Sequence, residues 1–154
     1  MLGAVAEMAA RAGIGLAGTI RPLDPDRPAE RCGIVLALLP DGERRDISLA
    51  LGPGATGCRL DAGALEQATL VVLQRLPAAR GLIVNRFGKQ EATGRGLVGA
   101  IGEACARELP VLVGVSPQWR EAFLAFTGDD AQEIAADAGL AFAWLREQSR
   151  PAAA

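Results

Sequence analysis

Apolar positions fall along this chain in two periods. Residues 2–12 repeat them at helical spacing and stop at Gly13, which predicts a helix with glycine just past its end. Residues 16–20 read as a short strand. The segment RPLDPDRPAER, residues 21–31, holds three prolines among alternating charges, which predicts a loop that cannot pair as a central strand. Residues 32–39 are apolar, Pro40-Asp41-Gly42-Glu43 makes a turn, and residues 45–51 return, which together predict a hairpin. A two-residue turn at Asp41-Gly42 would set Cys32 opposite Leu51.

The glycine-rich loop GPGATGCR, residues 52–59, comes next, with Asp61 as an N-cap. The helix behind it carries Leu65, Ala68 or Thr69, Val72 and Leu76 on one face, and Pro77 ends it. Residues 81–85 form a continuous apolar run, as in a parallel strand covered on both faces. A helix over 96–108 presents Leu97, Ile101, Ala104 and Cys105 on its apolar face. Residues 110–115 form another buried strand. Ser116-Pro117 predicts an N-cap with proline at the first helical position, and the helix runs to about 126. Gly128 breaks it, and a final helix over 130–148 carries Ile134, Ala138, Phe142 and Leu145. Residues 150–154 fray. Strand and helix alternate through the second half, which predicts right-handed crossovers and a parallel sheet. The expectation is one α/β domain over 1–154: a sandwich with a mostly parallel sheet of about five strands and an antiparallel hairpin.

Composition narrows the function. The 154 residues carry a net charge of −2, which argues against nucleic-acid or anionic-membrane partners and leaves room for a small anionic ligand at a local basic cluster. No apolar stretch reaches the length of a membrane span, and the N-terminus lacks a basic leader region, so the expected location is cytoplasmic. Histidine and tyrosine are absent, which excludes His-based triads, His general bases and the commonest transition-metal ligand. Cys32, Cys58 and Cys105 are odd in number and form no CxxC, so neither a disulfide framework nor a zinc ribbon is indicated. No metal ligands are assigned. Cys58 lies beside Arg59 near a helix start but has no histidine as its base; Cys105 reads as core filler. Fifteen arginines accompany one lysine, Lys89, whose compact charge differs from a planar guanidinium.

Two segments concentrate candidate chemistry. LIVNRFGKQEATGRG, residues 82–96, places Asn85, Arg86, Gly88, Lys89 and Arg95 beyond an apolar strand, where open α/β sheets bind ligands. Its glycines let backbone approach a ligand, and the next helix start adds partial positive charge. In GPGATGCR, Gly54, Gly57 and Arg59 fit a backbone nest with a cation beside it. This loop has the GxxxxG frame of a P-loop, with Cys58 and Arg59 where that motif needs Lys and Ser/Thr. Trp119, Phe123 and Phe126 share one side of their helix; core or interface packing is the ordinary reading, and stacking of Trp119 on a base near the ligand corner is the alternative.

With LGPGATGCRLD (51–61), LIVNRFGKQEATGRG (82–96) and VLVGVSPQWREAFLAFTG (111–128) in view, the chain resembles a bacterial domain-of-unknown-function family classed as nucleoside-triphosphatase-like, whose members are often annotated near molybdenum transport and nitrogenase genes. That family is similar to the THEP-type nucleoside-triphosphatases. The resemblance implies a three-layer P-loop NTPase-like fold. In such enzymes the strand matching LIVN ends in an acidic pair that holds Mg²⁺; here those positions are Asn85 and Arg86, and only Glu91 fits a later acidic position. The chain starts inside what matches the first helix, so the first strand and phosphate loop of that fold are expected to be missing from it, either because the start is shortened or mis-assigned or because the protein works without them. The expected function is therefore binding of a nucleotide phosphate or an oxyanion such as molybdate without efficient hydrolysis. The alternatives are a divergent Mg²⁺-dependent nucleoside-triphosphatase using Glu91, and an interaction module of molybdenum or nitrogenase metabolism. In that last case a second copy or another protein docks on an open sheet edge.

Overall fold

The computed structural model describes residues 1–22, 34–49 and 59–151. Helix α1 (Leu2–Arg11) buries Val5, Ala6 and Ala9 on one face, and Gly13, at φ +71°, turns the chain into strand β1 (Ala17–Ile20). Strands β2 (Val35–Leu39) and β3 (Glu43–Asp46) form the expected hairpin. Leu38 pairs with Glu43, so four residues separate the partners instead of two; Cys32 and Leu51 lie outside the described residues. The return strand also breaks. Ile47 turns inward, 3% exposed, and β4 (Ser48–Leu49) pairs with β5 (Arg59–Leu60) in a separate two-stranded sheet.

Asp61 caps α2 (Ala62–Arg75) as expected, its carboxylate accepting the Ala64 N–H at 3.1 Å. The helix buries Leu65, Ala68, Thr69 and Val72, and Pro77 falls in the 3-10 turn Leu76–Ala78 that ends it. At its last turn Arg75 reaches the hairpin tip, donating to Asp41, Glu43 and the Leu39 carbonyl, all at 3.0 Å. The Glu43 N–H, and after it the Arg75 guanidinium, hold the Asp41 carboxyl below its usual pKa. What that carboxylate adds to stability is present near neutral pH and is lost as pH falls through its lowered pKa.

The second half runs β6 (Leu82–Phe87), α3 (Lys89–Ala92), α4 (Val98–Ala106), β7 (Val111–Val115), the 3-10 turn Pro117–Trp119, α5 (Arg120–Thr127) and α6 (Ala138–Gln148). Several boundaries differ from the sequence reading. β6 continues two residues past Asn85, so Asn85 lies within the strand. The helix expected over 96–108 is α4, preceded by the short α3. The last helix starts at Asp137, whose carboxylate accepts the Leu140 N–H at 2.8 Å, so Ile134 lies before it. Ser116 stands at the N-cap without a side-chain capping bond, and its buried Oγ has no partner among the described residues. Cys105 is exposed, one position away from the buried face marked by Ala104.

Five strands form one sheet in the order β3-β2-β1-β6-β7. β1, β6 and β7 are parallel, while β2 runs against both its neighbours. β6 and β7 pair directly, so the sheet is continuous and β3 and β7 are its edges. The alternation of β6 divides the core. Leu82 and Val84 pack under α2 and α4 with Ala68, Val72, Ala100 and Ala104. Ile83 packs on the other face with Val5 and Ala9 of α1 and Ala141 and Leu145 of α6. This is the expected three-layer sandwich. Each fully buried Leu, Ile or Val contributes about 1.5–3 kcal/mol. A third, smaller cluster of Leu36, Ile47 and Leu65 lies apart from both. Among the described residues no helix is long and apolar enough to cross a membrane.

Gly102 sits in the interior of α4 with nothing within 4 Å of the place a Cβ would take. Gly102→Ala is expected to stabilise the protein by about 0.5–1 kcal/mol, because alanine loses less backbone freedom in a helix. A shift of the urea midpoint to higher concentration checks this.

Candidate functional site

β6 is gripped from both sides by glycine. Gly18 of β1, at φ +124°, pairs with Ile83, and a Cβ there would stand 2.8 Å from the Ile83 nitrogen and carbon and closer still to its oxygen. On the other side a Cβ on Gly114 would overlap the Asn85 carbonyl. Opposite Gly114 the register slips: Val84 pairs with Val113 and Phe87 with Val115, so Asn85 and Arg86 together face one residue of β7. This is a β-bulge, a device that redirects side chains. The fully buried Thr19 accepts the Asn85 N–H on its Oγ1 at 3.2 Å, and the Asn85 Oδ1 accepts the Arg21 N–H at 3.1 Å. Phe87 then anchors the strand end, edge-on to Phe123 at 5.2 Å and tilted against Phe126 at 5.7 Å.

Beyond β6 the chain is held by one carboxylate. Glu91, only 6% exposed, accepts the Gly88 N–H on Oε2 at 3.0 Å and the Leu97 N–H on Oε1 at 3.2 Å. The first bond caps α3 and the second ties its exit to the start of α4. Gly96, at φ +61°, leaves the space this carboxylate fills, since a Cβ there would overlap Oε1 and stand 3.0 Å from Cδ. Its own N–H goes to Glu66 on α2 at 2.7 Å.

These supports frame a cavity of about 270 Å³ at the carboxyl ends of β1 and β6. Its apolar floor is the third core cluster, Leu36, Ile47 and Leu65, extended by Ile34 and Leu60. Asn85, Arg86, Gly88, Lys89 and Gln90 border it from β6 and α3, and Gln118 and Trp119 from the turn after β7. Arg86 and Lys89 are exposed and form no ion pair among the described residues. Their charge is therefore available to a ligand.

Of the residues singled out in the sequence, the cavity gathers Asn85, Arg86, Gly88, Lys89 and Glu91. Arg95 and Arg59 are exposed and do not border it, although Leu60, next to Arg59, does. Gly54, Gly57 and Cys58 lie outside the described residues, as does Cys32. Trp119 also borders the cavity. Thr19 and Gln118 were not singled out. Their signal is a polar residue at the end of an apolar run, Thr19 in LAGTI and Gln118 two places past VLVGVS.

The family model described as "Protein of unknown function (DUF2478)" matches residues 1–144. The chain belongs to this family. It is also 34% identical over 140 residues to the Molybdenum import ATP-binding protein ModC 2 of Bradyrhizobium diazoefficiens. That match takes in 90% of this chain, but the chain spans only 16% of the length of the relative. No solved structure matches the chain.

Proposed function

We propose that this DUF2478 domain has an NTPase-like, P-loop-related fold. It binds a small anion, a nucleotide phosphate or an oxyanion such as molybdate, without efficient hydrolysis. The observation that carries this reading is the placement of Arg86 and Lys89, both without ion pairs among the described residues, at the rim of a cavity at the carboxyl ends of parallel strands. Lys89 acts as a point charge, Arg86 as a planar donor and the Gly88 region as close-approaching backbone. The name of its relative, an ATP-binding protein, supports a nucleotide. Two features favour binding over turnover. Asn85, with no charge, stands where the similar enzymes carry an acid, and both oxygens of Glu91 already accept backbone N–H groups. In this reading Glu91 is a positioning residue, each of its oxygens engaged by a backbone N–H that holds the turn.

Calorimetric titration with phosphate, molybdate and ATP, each with and without Mg²⁺, tests the site. At least one anion is expected to bind without Mg²⁺. Lys89→Ala or Arg86→Ala should each weaken it by roughly ten- to a hundredfold, the worth of a hydrogen bond to a charged group. Unchanged affinity in both variants would remove the site, and ATP turnover above background would remove the non-hydrolysing role.

A second reading rests on the length of the relative. A segment similar to this chain makes up 16% of a protein named for molybdenum import, which supports a role as an interaction module in molybdenum metabolism. The edge strand β7 or β3 would be its contact. A concentration-independent monomer that captures no such importer subunit would count against it.

A further inference from the structure

The cavity has two chemistries, and the anion uses only one of them. A tetrahedral oxyanion needs hydrogen-bond donors and charge, which Arg86 and Lys89 supply at the rim. It has no use for the floor of Leu36, Ile47 and Leu65 with Leu60 beside them. Pressing a hydrated ion against that floor would strip its water without replacing the hydrogen bonds. An apolar cavity with a few polar groups at one side is the usual form of a site for an organic molecule, its polar groups fixing the orientation. Trp119 borders the same space, partly exposed, and offers an aromatic surface on which a planar ring can stack.

Resting on the anion site proposed above, we infer that the ligand is an organic anion built on a flat aromatic ring. Its anionic group sits at Arg86 and Lys89, and its ring lies over the Leu36–Ile47–Leu65 floor beside Trp119. A nucleoside monophosphate has this form; phosphate and molybdate do not.

The chain carries two tryptophans, and Trp144 lies on α6, which packs on the opposite face of the sheet. Trp144→Phe therefore leaves Trp119 as the sole tryptophan reporter. Four probes separate the contributions: AMP, adenosine, phosphate and molybdate, each titrated into the intact chain. AMP is expected to bind at least about tenfold tighter than phosphate or molybdate, as stacking of one base contributes, at least about tenfold tighter than adenosine, as a hydrogen bond to a charged group contributes, and to change Trp119 emission. Trp119→Ala should bring AMP to the level of phosphate while phosphate binding stays as it was. Phosphate or molybdate binding as tightly as AMP would overturn the ring while leaving the anion site intact. Adenosine binding as tightly as AMP would overturn the anionic group, and with it the site proposed above. Failure of all four would overturn both. Tight AMP binding with unchanged Trp119 emission would overturn the placement of the ring.

Discussion

Gly18→Ala is expected to destabilise the protein by about 4 kcal/mol or more, the largest effect of any single methyl group added to the sheet. Two causes add. The φ of +124° is a backbone conformation that alanine adopts only under strain, and the new Cβ would run into the backbone of Ile83. The obstacle is a neighbouring strand, so no side-chain rotation relieves it. Ile83 cannot retreat either, because β7 holds β6 from the other side and Ile83 is fully buried. A domain of this size loses roughly 2–4 °C of melting temperature per kcal/mol, so a drop of about 10 °C or more is expected. Gly3→Ala, with nothing within 4 Å of the new Cβ, is the control. A Gly18→Ala protein that melts within a few degrees of the parent would show that β1 and β6 do not approach each other as described.

Glu91→Ala comes next, at about 2–4 kcal/mol. The substitution leaves the N–H groups of Gly88 and Leu97 without their acceptor, the second of them buried, and each such group costs about 1–3 kcal/mol. It also leaves an empty volume beside Gly96. Glu91→Gln keeps one carbonyl-type oxygen, so it should satisfy one of the two donors and lose roughly half as much. Equilibrium urea unfolding of the three proteins measures the ranking. Equal stability of parent and Glu91→Ala would mean that the carboxylate does not hold this loop. Because α3 carries Lys89, the same substitution should also weaken anion binding, through the lost placement of that charge.

Much of the fold was legible because it rests on periodicity. The helical spacing of Leu65, Ala68, Thr69 and Val72, the Asp61 cap, the apolar runs of β6 and β7 and the stop at Gly128 each follow from a local rule. The misreadings share a different origin, namely side-chain contacts that no apolar period encodes. The α3 turn depends on a carboxylate bridging Gly88 and Leu97, and no period reports such a bridge. The broken return strand depends on Ile47 turning to meet Leu65 on α2. Cys105 belongs by spacing to an apolar face that the packing of α4 rotates away from it. At the site, the cations and glycines of 82–96 were visible as a cluster, and the cavity kept only those on β6 and the start of α3. The floor was invisible as a floor, because Leu36, Ile47 and Leu65 come from three different elements and look in sequence like ordinary core.

The bulge in β6 has a consequence for how this site could be gained or lost over time. Asn85 and Arg86 both border the cavity because β6 holds one residue more than β7 over the same span. A regular strand would send two successive side chains to opposite faces. Deleting either residue would restore an even ladder upstream of Phe87 and leave at most one of the two at the cavity. Changes of length, more than changes of residue type, are then the step by which a lineage could erase the site and keep the sandwich.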